Sequence, residues 1–559
     1  MKKFSALLAA LVLAFSALML VACGPGPGDT DGPGTDTDGP GVVDPGDPDD
    51  PGTDTDDPEP AATPGLVFEL LSEQELAYHN LDYGHTYTAA YAVTNYDVEE
   101  TEDVTDLVIP SYHEGIPVVA IGVEALAGFA TIESVYLPRT LTTIDDGAFA
   151  ACTALTAVAI PDNVREIGKV AFSYCEKLTD VTLPQNDIRI ARDAFDFSAC
   201  ALDEGNTENG ALYVDHILIR ADQSVSGEFA VREGTVAIAD EAFYSCKQLT
   251  GVTFPDSLLA IGESAFSRCD RLSGVSIPTS VTRVGRDAFR DTAAYDASDA
   301  AAGGCAYIGD VLVAVDARAD TLEIREGTRL IADEVLAYSY NRKIVIHAGL
   351  NEFGDNLTQI LSPDLEEIEV SARHETLSSE DGILYNKDKT VLYRYPSARA
   401  RDTFALPDSV TRIADYAFLM AQVKEVVLGD NVQDIGCGAF SDSALERIAI
   451  PDGVAVLRDM LFYNCDLLES VTLGSGVQKI GTVAFDYCLS LTAIELPASV
   501  TEIAQHAFNY CDGLENVTFA QAEGWAAGKM PVDAAALADP AQAAVLLTET
   551  YLGSTWTRG

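Results

Sequence analysis

Basic residues are scarce: 34 Lys and Arg stand against 88 Asp and Glu in a chain of 559 residues, a formal net charge of −54. A surface of that sign repels phosphate backbones, which excludes nucleic acid as a partner, and it is not drawn to anionic lipid headgroups. Histidine is rare as well. His79, His85, His113, His216, His347, His374 and His506 are scattered without metal-ligand spacing and without a nucleophile at a fixed offset, so no catalytic residue and no metal site is assembled from them. The chain reads as a non-enzyme that needs no cofactor. Beyond its first two dozen residues it also lacks any run long and apolar enough to span a bilayer.

What is present starts at the N-terminus. Lys2 and Lys3 precede an apolar run over residues 4–18, and Leu20, Val21, Ala22 and Cys23 follow. This arrangement resembles a bacterial lipoprotein signal. The resemblance implies that residues 1–22 are removed and that Cys23 is acylated, so that the membrane is reached only through this lipid. Residues 24–63 are almost wholly Gly, Pro, Asp and Thr, with twelve acidic residues and no basic one. Such a segment cannot build a core; like charges and proline extend it, and 23–63 is therefore read as a disordered acidic stalk. Its Asp-Thr-Asp-Gly stretches at Asp29 and Asp36 lack the further ligands of a calcium loop.

The rest of the chain is dominated by one apolar pattern. Its clearest copy places Pro161, Val164, Ile167, Gly168, Ala171, Phe172, Cys175, Leu178, Val181 and Leu183 before Pro184, where the next copy begins, a period of 23 residues. The Phe or Leu of this pattern returns at Leu126, Phe149, Phe172, Phe195, Phe243, Phe266, Phe289, Leu336, Phe418, Phe440, Phe462, Phe485 and Phe508. A period of this length marks a solenoid, in which one coil buries too little apolar surface to fold alone and must stack on its neighbours. The Leu-x-x-Val-x-Ile segment supplies one short parallel strand per coil. The Ala-Phe-x-x-Cys segment is expected as a short helical or 3₁₀ turn whose Phe stacks on the Phe of the next coil.

The period breaks in a regular way. Tyr213, Tyr307 and Tyr385 each close a short glycine-led apolar segment, followed by alternating apolar residues and a return to phase. These read as longer coils or hairpins docked into the stack, near 200–235, 296–330 and 340–405. Residues 64–138 form an opening module and first coil, 139–519 the solenoid, and 520–559 a C-terminal cap. In the cap, Asp539, Pro540 and Gln542 mark a helix start, with Val545, Leu546, Tyr551 and Trp556 expected to cover the last coil.

The pattern Ile-Pro-x-x-Val-x-x-Ile-Gly-x-x-Ala-Phe-x-x-Cys-x-x-Leu-x-x-Val is similar to the BspA-like leucine-rich repeats of bacterial surface proteins. The resemblance covers about residues 100–520. It implies a curved solenoid with one parallel sheet, displayed at the bacterial surface outside the cytoplasm and used for adhesion.

Seven cysteines fall in repeat phase, Cys152, Cys175, Cys246, Cys269, Cys465, Cys488 and Cys511. They are expected as free thiols filling one core column rather than as disulfides. The outward strand positions Thr182, Thr253, Ser276, Thr472 and Thr518 read as a solvated face. Tyr174, Tyr487 and Tyr510 precede cysteines and line up one coil apart, either packing ring on ring or forming an adhesion edge. The functional expectation is a cell-surface binding module on a lipid-anchored stalk, taking a host or bacterial protein or surface glycan. Two alternatives stand beside it: a structural envelope spacer with no ligand, and an enzyme with a site in one of the inserts.

Overall fold

The computed structural model describes residues 60–71, 90–96, 104–297, 304–337, 339–348, 360 and 362–558. Residues 1–59, with the signal, Cys23 and nearly all of the stalk, lie outside the described residues.

The described residues between 104 and 519 wind as a solenoid, as the period requires, and each regular coil presents three walls. Two are parallel β-sheets. Glu166–Ile167 pairs in register with Thr143–Ile144 of the preceding coil and with Arg189–Ile190 of the following one. Across the coil, Asp180–Thr182 pairs with Ala157–Ala159. The single strand and single sheet expected per coil are thus corrected to two: the Val-x-x-Ile segment before the glycine is long enough for a two-residue strand of its own. In both sheets the Ile or Val turns inward, which buries Ile144, Ile167, Val158 and Val181 in one continuous core.

The third wall runs through the phenylalanine and is a chain of turns rather than a helix. Amides of alternate residues leave the coil: Gly147, Phe149 and Ala151 donate to the carbonyls of Lys169, Ala171 and Ser173 in the next coil, at 2.8, 2.8 and 2.7 Å. The amides between them, Ala148 and Ala150, close tight turns onto Asp145 and Gly147. A helix would satisfy every amide within itself and leave the next coil nothing to bind. The alternation puts the residues two before and two after the Phe in the left-handed region, as at Val170 (φ 50°) and Tyr174 (φ 59°) around Phe172.

The phenylalanines stack as expected. Phe149, Phe172 and Phe195 follow at centroid spacings of 5.2 and 5.4 Å with planes within 6° of parallel, and Phe485 meets Phe508 at 5.0 Å and 2°. Spacings near the inter-strand distance let ring and ladder keep one repeat.

Three hairpins interrupt the stack. Ala211–Val214 pairs antiparallel with Ile217–Ala221, Cys305–Ile308 with Val311–Val315, and Ile383–Asn386 with Val391–Arg394. The first two turn through a two-residue loop opened by a left-handed residue, Asp215 (φ 52°) and Gly309 (φ 62°). Alternate residues of each hairpin face different cores. Leu212, Val214, Ile217 and Ile219 pack into the first array, whereas Ala211, Tyr213, Leu218 and Ala221 pack into the second. Likewise Ile308 and Val311 close the second core while Cys305 and Leu312 open the third. Leu384 ends the third, and Ile383, Tyr385 and Leu392 begin the fourth. An all-apolar strand is what such a double-sided partition demands.

The recurring tyrosine has a defined task at two hairpins. The Tyr213 hydroxyl accepts the Arg232 amide at 3.2 Å while the Arg232 guanidinium lies 4.2 Å from the ring centre; Tyr307 and Arg325 repeat this at 3.1 and 3.9 Å. Arginines also tie the arrays together across the partitions. Arg189 reaches Asp240 at 2.9 Å and Glu263 at 3.1 Å, and Arg283 reaches Asp333 at 2.9 Å.

At the C-terminus, Asp539 caps the helix Pro540–Val545 by accepting from the Ala541 and Gln542 amides. Trp556–Arg558 then pairs antiparallel with Glu502–Ile503 and with Trp525–Ala527, burying both tryptophans over the last coil. Leu546 and Tyr551 pack on the core as expected. Val545 does not: it faces solvent, and Leu547 takes the inner position two residues later.

The glycine after the core isoleucine answers a close approach. A Cβ on Gly168 would lie 2.6 Å from the Asp146 amide nitrogen and 2.8 Å from the Asp145 carbonyl carbon of the preceding coil. The Asp146 carboxylate sits there because it accepts the Lys169 amide at 2.6 Å, and Asp240, Asp415 and Asp459 repeat the bond to Glu263, Cys437 and Thr482. Gly168→Ala is expected to lower the unfolding free energy by about 1–3 kcal/mol. Adding Asp146→Ala should not restore it, because the collision is with backbone; urea denaturation of the single and double variants checks this.

Candidate binding surface

The core positions of every coil are consumed by packing, so a ligand can be met only by side chains that the repeat leaves free. On the sheet wall these are Thr182, Thr253, Ser276, Thr472 and Thr518, and all five are exposed. They alternate with buried Val and Ile, as a solvated β face requires.

The turn wall is different. Its left-handed residue two after the phenylalanine points outward, and in the first array the ladder reads Ala151, Tyr174 and Phe197, in the second Ser245, Arg268 and Asp291, in the fourth Met420, Asp442, Asn464, Tyr487 and Tyr510. Tyr174 stacks on Phe197 at 4.7 Å, and Tyr487 stacks on Tyr510 at 4.5 Å with Tyr463 edge-on to Tyr487 at 6.4 Å. The rings therefore do pack coil on coil, yet Tyr174, Phe197, Tyr487 and Tyr510 stay 53%, 52%, 37% and 52% exposed. Tyr174 and the pair Tyr487 and Tyr510 lie in different arrays, so the three tyrosines make two separate patches and not one row. Phe197, unnoticed in the sequence, completes the first patch; aligning the residue two after each Phe would have found it.

Beneath the second patch the wall is apolar in its own right. Tyr416, Leu419, Cys437 and Met460 are buried together with Ala337 of the third array, flanked by Met420, Tyr463 and Val483. Asp486 lies in this wall with an Oδ1 that accepts no hydrogen bond. Its burial pushes the carboxyl up to about 7, against the opposing effect of hydrogen bonds from Asn509 and the Tyr487 amide. Burial likewise raises Asp442, which holds Asn464 at 2.5 Å. A raised carboxyl favours the folded state while it stays protonated. The stability it contributes is whole below the ordinary carboxylate range, declines as pH rises from about 4 to about 7, and is flat above. Asp486→Asn is expected to remove this decline, stabilising the protein at pH 8 relative to wild type and changing little at pH 4; thermal melts at the two pH values check it.

The cysteine column is chemically quiet. All ten described cysteines are buried and free. Cys175, Cys465, Cys488 and Cys511 donate their thiols to the carbonyl of the phenylalanine one coil back, at 3.2, 3.0, 3.2 and 2.9 Å. Phe195 and Phe289, the last rings before a hairpin, have no such thiol above them. Ser198 and Thr292 stand in the cysteine position there and donate to those carbonyls themselves, at 2.6 and 2.8 Å. Burial pushes Cys152, Cys175, Cys269 and Cys465 up to about 12. Native protein carrying Cys23→Ser is expected to remain unalkylated by iodoacetamide at pH 8 and to take up ten groups once unfolded, read by intact mass.

The histidines serve local structure. His216 bridges Asp215 and the Pro184 carbonyl at 3.0 and 2.8 Å, His374 accepts the Thr376 and Leu377 amides, and His113 stacks on Phe68 at 4.0 Å. His79 and His85 lie outside the described residues. Among the described residues no three His, Cys, Asp or Glu side chains converge to hold a metal ion, and no helix is long and apolar enough to cross a membrane.

With this geometry in place, comparison with known families is decisive at the level of the repeat. The BspA type leucine-rich repeat region, in six copies, matches residues 95–215, 236–361 and 397–518. The chain belongs to this family. Solved structures similar to it include a leucine rich cell surface protein of Faecalibacterium prausnitzii A2-165, at 25% identity over 83% of this chain and 96% of that one with a TM-score of 0.27. A leucine-rich repeat protein of Eubacterium ventriosum is 23% identical over 52% of this chain and 84% of that one, TM-score 0.30, and the pneumococcal vaccine antigen PcpA is 16% identical over 83% and 82%, TM-score 0.22. No curated protein matches the chain.

Proposed function

We propose that this BspA-type solenoid is a bacterial cell-surface binding module, anchored through an acylated Cys23, carried on the acidic stalk, and engaging a host or bacterial macromolecule along its turn wall. The observation that carries the reading is the contrast between arrays. Equivalent outward positions hold half-exposed stacked rings in the first and fourth arrays and Ser245, Arg268 and Asp291 in the second. Packing alone gives no reason for the difference, since the polar coils close equally well. Exposed tyrosine offers large contact area at low entropic cost, the usual material of a binding hot spot. Two patches on one rigid scaffold would act together, so that modest affinity at each becomes firm attachment.

The N-terminal half of the proposal concerns placement. A lipid on Cys23 holds the chain at the membrane, while 40 residues rich in Asp, Gly, Pro and Thr keep the solenoid at a distance. Metabolic labelling with an alkyne fatty acid is expected to mark wild type and not Cys23→Ala, and the unlabelled variant should leave the membrane fraction. Separately, deletion of whole arrays with the anchor intact is expected to abolish saturable binding to epithelial matrix or neighbouring bacteria. Anchored protein whose binding is indifferent to that deletion would instead be a spacer.

A further inference from the structure

The fourth array carries more than exposed rings. Around Tyr463 and Tyr487 stand Asp442, Asp486 and Asp512, which act on those phenols, while Asp466 acts on the neighbouring Cys465 thiol. Between residues 437 and 519 the only Lys and Arg are Arg447, Arg458 and Lys479. Each is held elsewhere, by Glu425 at 3.2 Å, Asp434 at 3.0 Å and Glu502 at 3.0 Å. Over residues 437–519, then, no Lys or Arg is left over for the carboxylates of the tyrosine wall. The first patch differs in this respect: Asp196, between Tyr174 and Phe197 on the wall, is ion-paired with Arg220.

We propose that the Tyr487 and Tyr510 ladder is a docking site for a polypeptide segment that presents arginine or lysine. Resting on the binding-module reading, it names the partner's chemistry. Three properties combine. The phenol faces and edges attract a cation through the ring quadrupole. Asp512, exposed and acting on the Tyr487 phenol, supplies formal counter-charge on the same wall, with the exposed Asp466 at the equivalent position two coils back. The net charge of −54 draws a basic segment from a distance, so long-range steering and local recognition share one sign. Spacing favours a chain over a single ion, because successive coils offer a ring at each inter-strand step, and an extended peptide repeats its side chains on a similar scale. A neutral glycan would use the rings and ignore the carboxylates.

The test uses the whole exported chain and a fluorescent peptide of alternating Arg and Gly, with an alternating Ser and Gly peptide and a neutral oligosaccharide as comparators. Fluorescence anisotropy at near-physiological salt reads the affinity. Tyr487→Ala with Tyr510→Ala is expected to weaken the arginine peptide about tenfold, the scale of two exposed cation–π contacts, although no charge is altered. Tyr487→Leu with Tyr510→Leu should weaken it similarly while preserving apolar packing, which separates recognition from folding. Asp466→Asn with Asp512→Asn should also weaken it, and Tyr174→Ala should not. Equal affinity of wild type and both tyrosine pairs would overturn the proposal, leaving only diffuse attraction to an acidic protein. So would loss of oligosaccharide binding in place of peptide binding. Either result leaves the binding-module reading to the array deletion, which removes all surfaces at once.

Discussion

Alternate amides along the turn wall have no partner within their own coil, and this incompleteness organises the whole molecule. Gly147, Phe149 and Ala151 donate forward to Lys169, Ala171 and Ser173, and the same relation recurs wherever two regular coils meet. Because a buried amide without a partner is costly, a coil is finished only by the one after it. The ring stack, the thiol donated back to a phenylalanine carbonyl and the aspartate that caps the following coil all obey the same axial repeat. Sequence variety is then confined to side chains that face outward.

Much of this was legible in advance, for a physical reason: core residues are dictated by stacking, so their spacing writes the period directly. The phenylalanine column, the free thiols and the capping by Asp539 of the helix that Pro540 opens follow from residue type and offset alone. The second strand did not show, because two residues such as Glu166–Ile167 carry too little alternation to be distinguished from a bend. Nor did the left-handed positions, since Val170, Tyr174 and Met460 are residues that rarely adopt them; only the demand of the neighbouring coil puts them there. The aromatic turn wall was half visible. Tyr487 and Tyr510 stood out as tyrosines, whereas the contact of Tyr463 with Tyr487 and the buried Asp486 Oδ1 that accepts no hydrogen bond required the coils to be stacked.

The arrays are alike inside and unlike outside. The second array meets solvent on its turn wall with serine, arginine and aspartate, and its arginines are spent on joints such as Arg283 with Asp333 and Arg286 with Glu334. The fourth presents rings and acids on its turn wall instead, at Tyr487, Tyr510 and Asp442. One backbone geometry thus supports a polar wall and an aromatic one, with the difference written in the outward position two after each phenylalanine.

The hairpins give the stack a property that an uninterrupted solenoid lacks. Each is a strand pair apolar on both faces, so each array ends against a finished partition rather than against an open coil. Fraying that starts at the C-terminal cap can run back through the fourth array, but at Ile383–Asn386 it meets a wall already paired on its other side. Under a pull between tether and partner, the arrays would therefore give way as separate blocks in series, each surrendering its length while the remaining ones keep their shape.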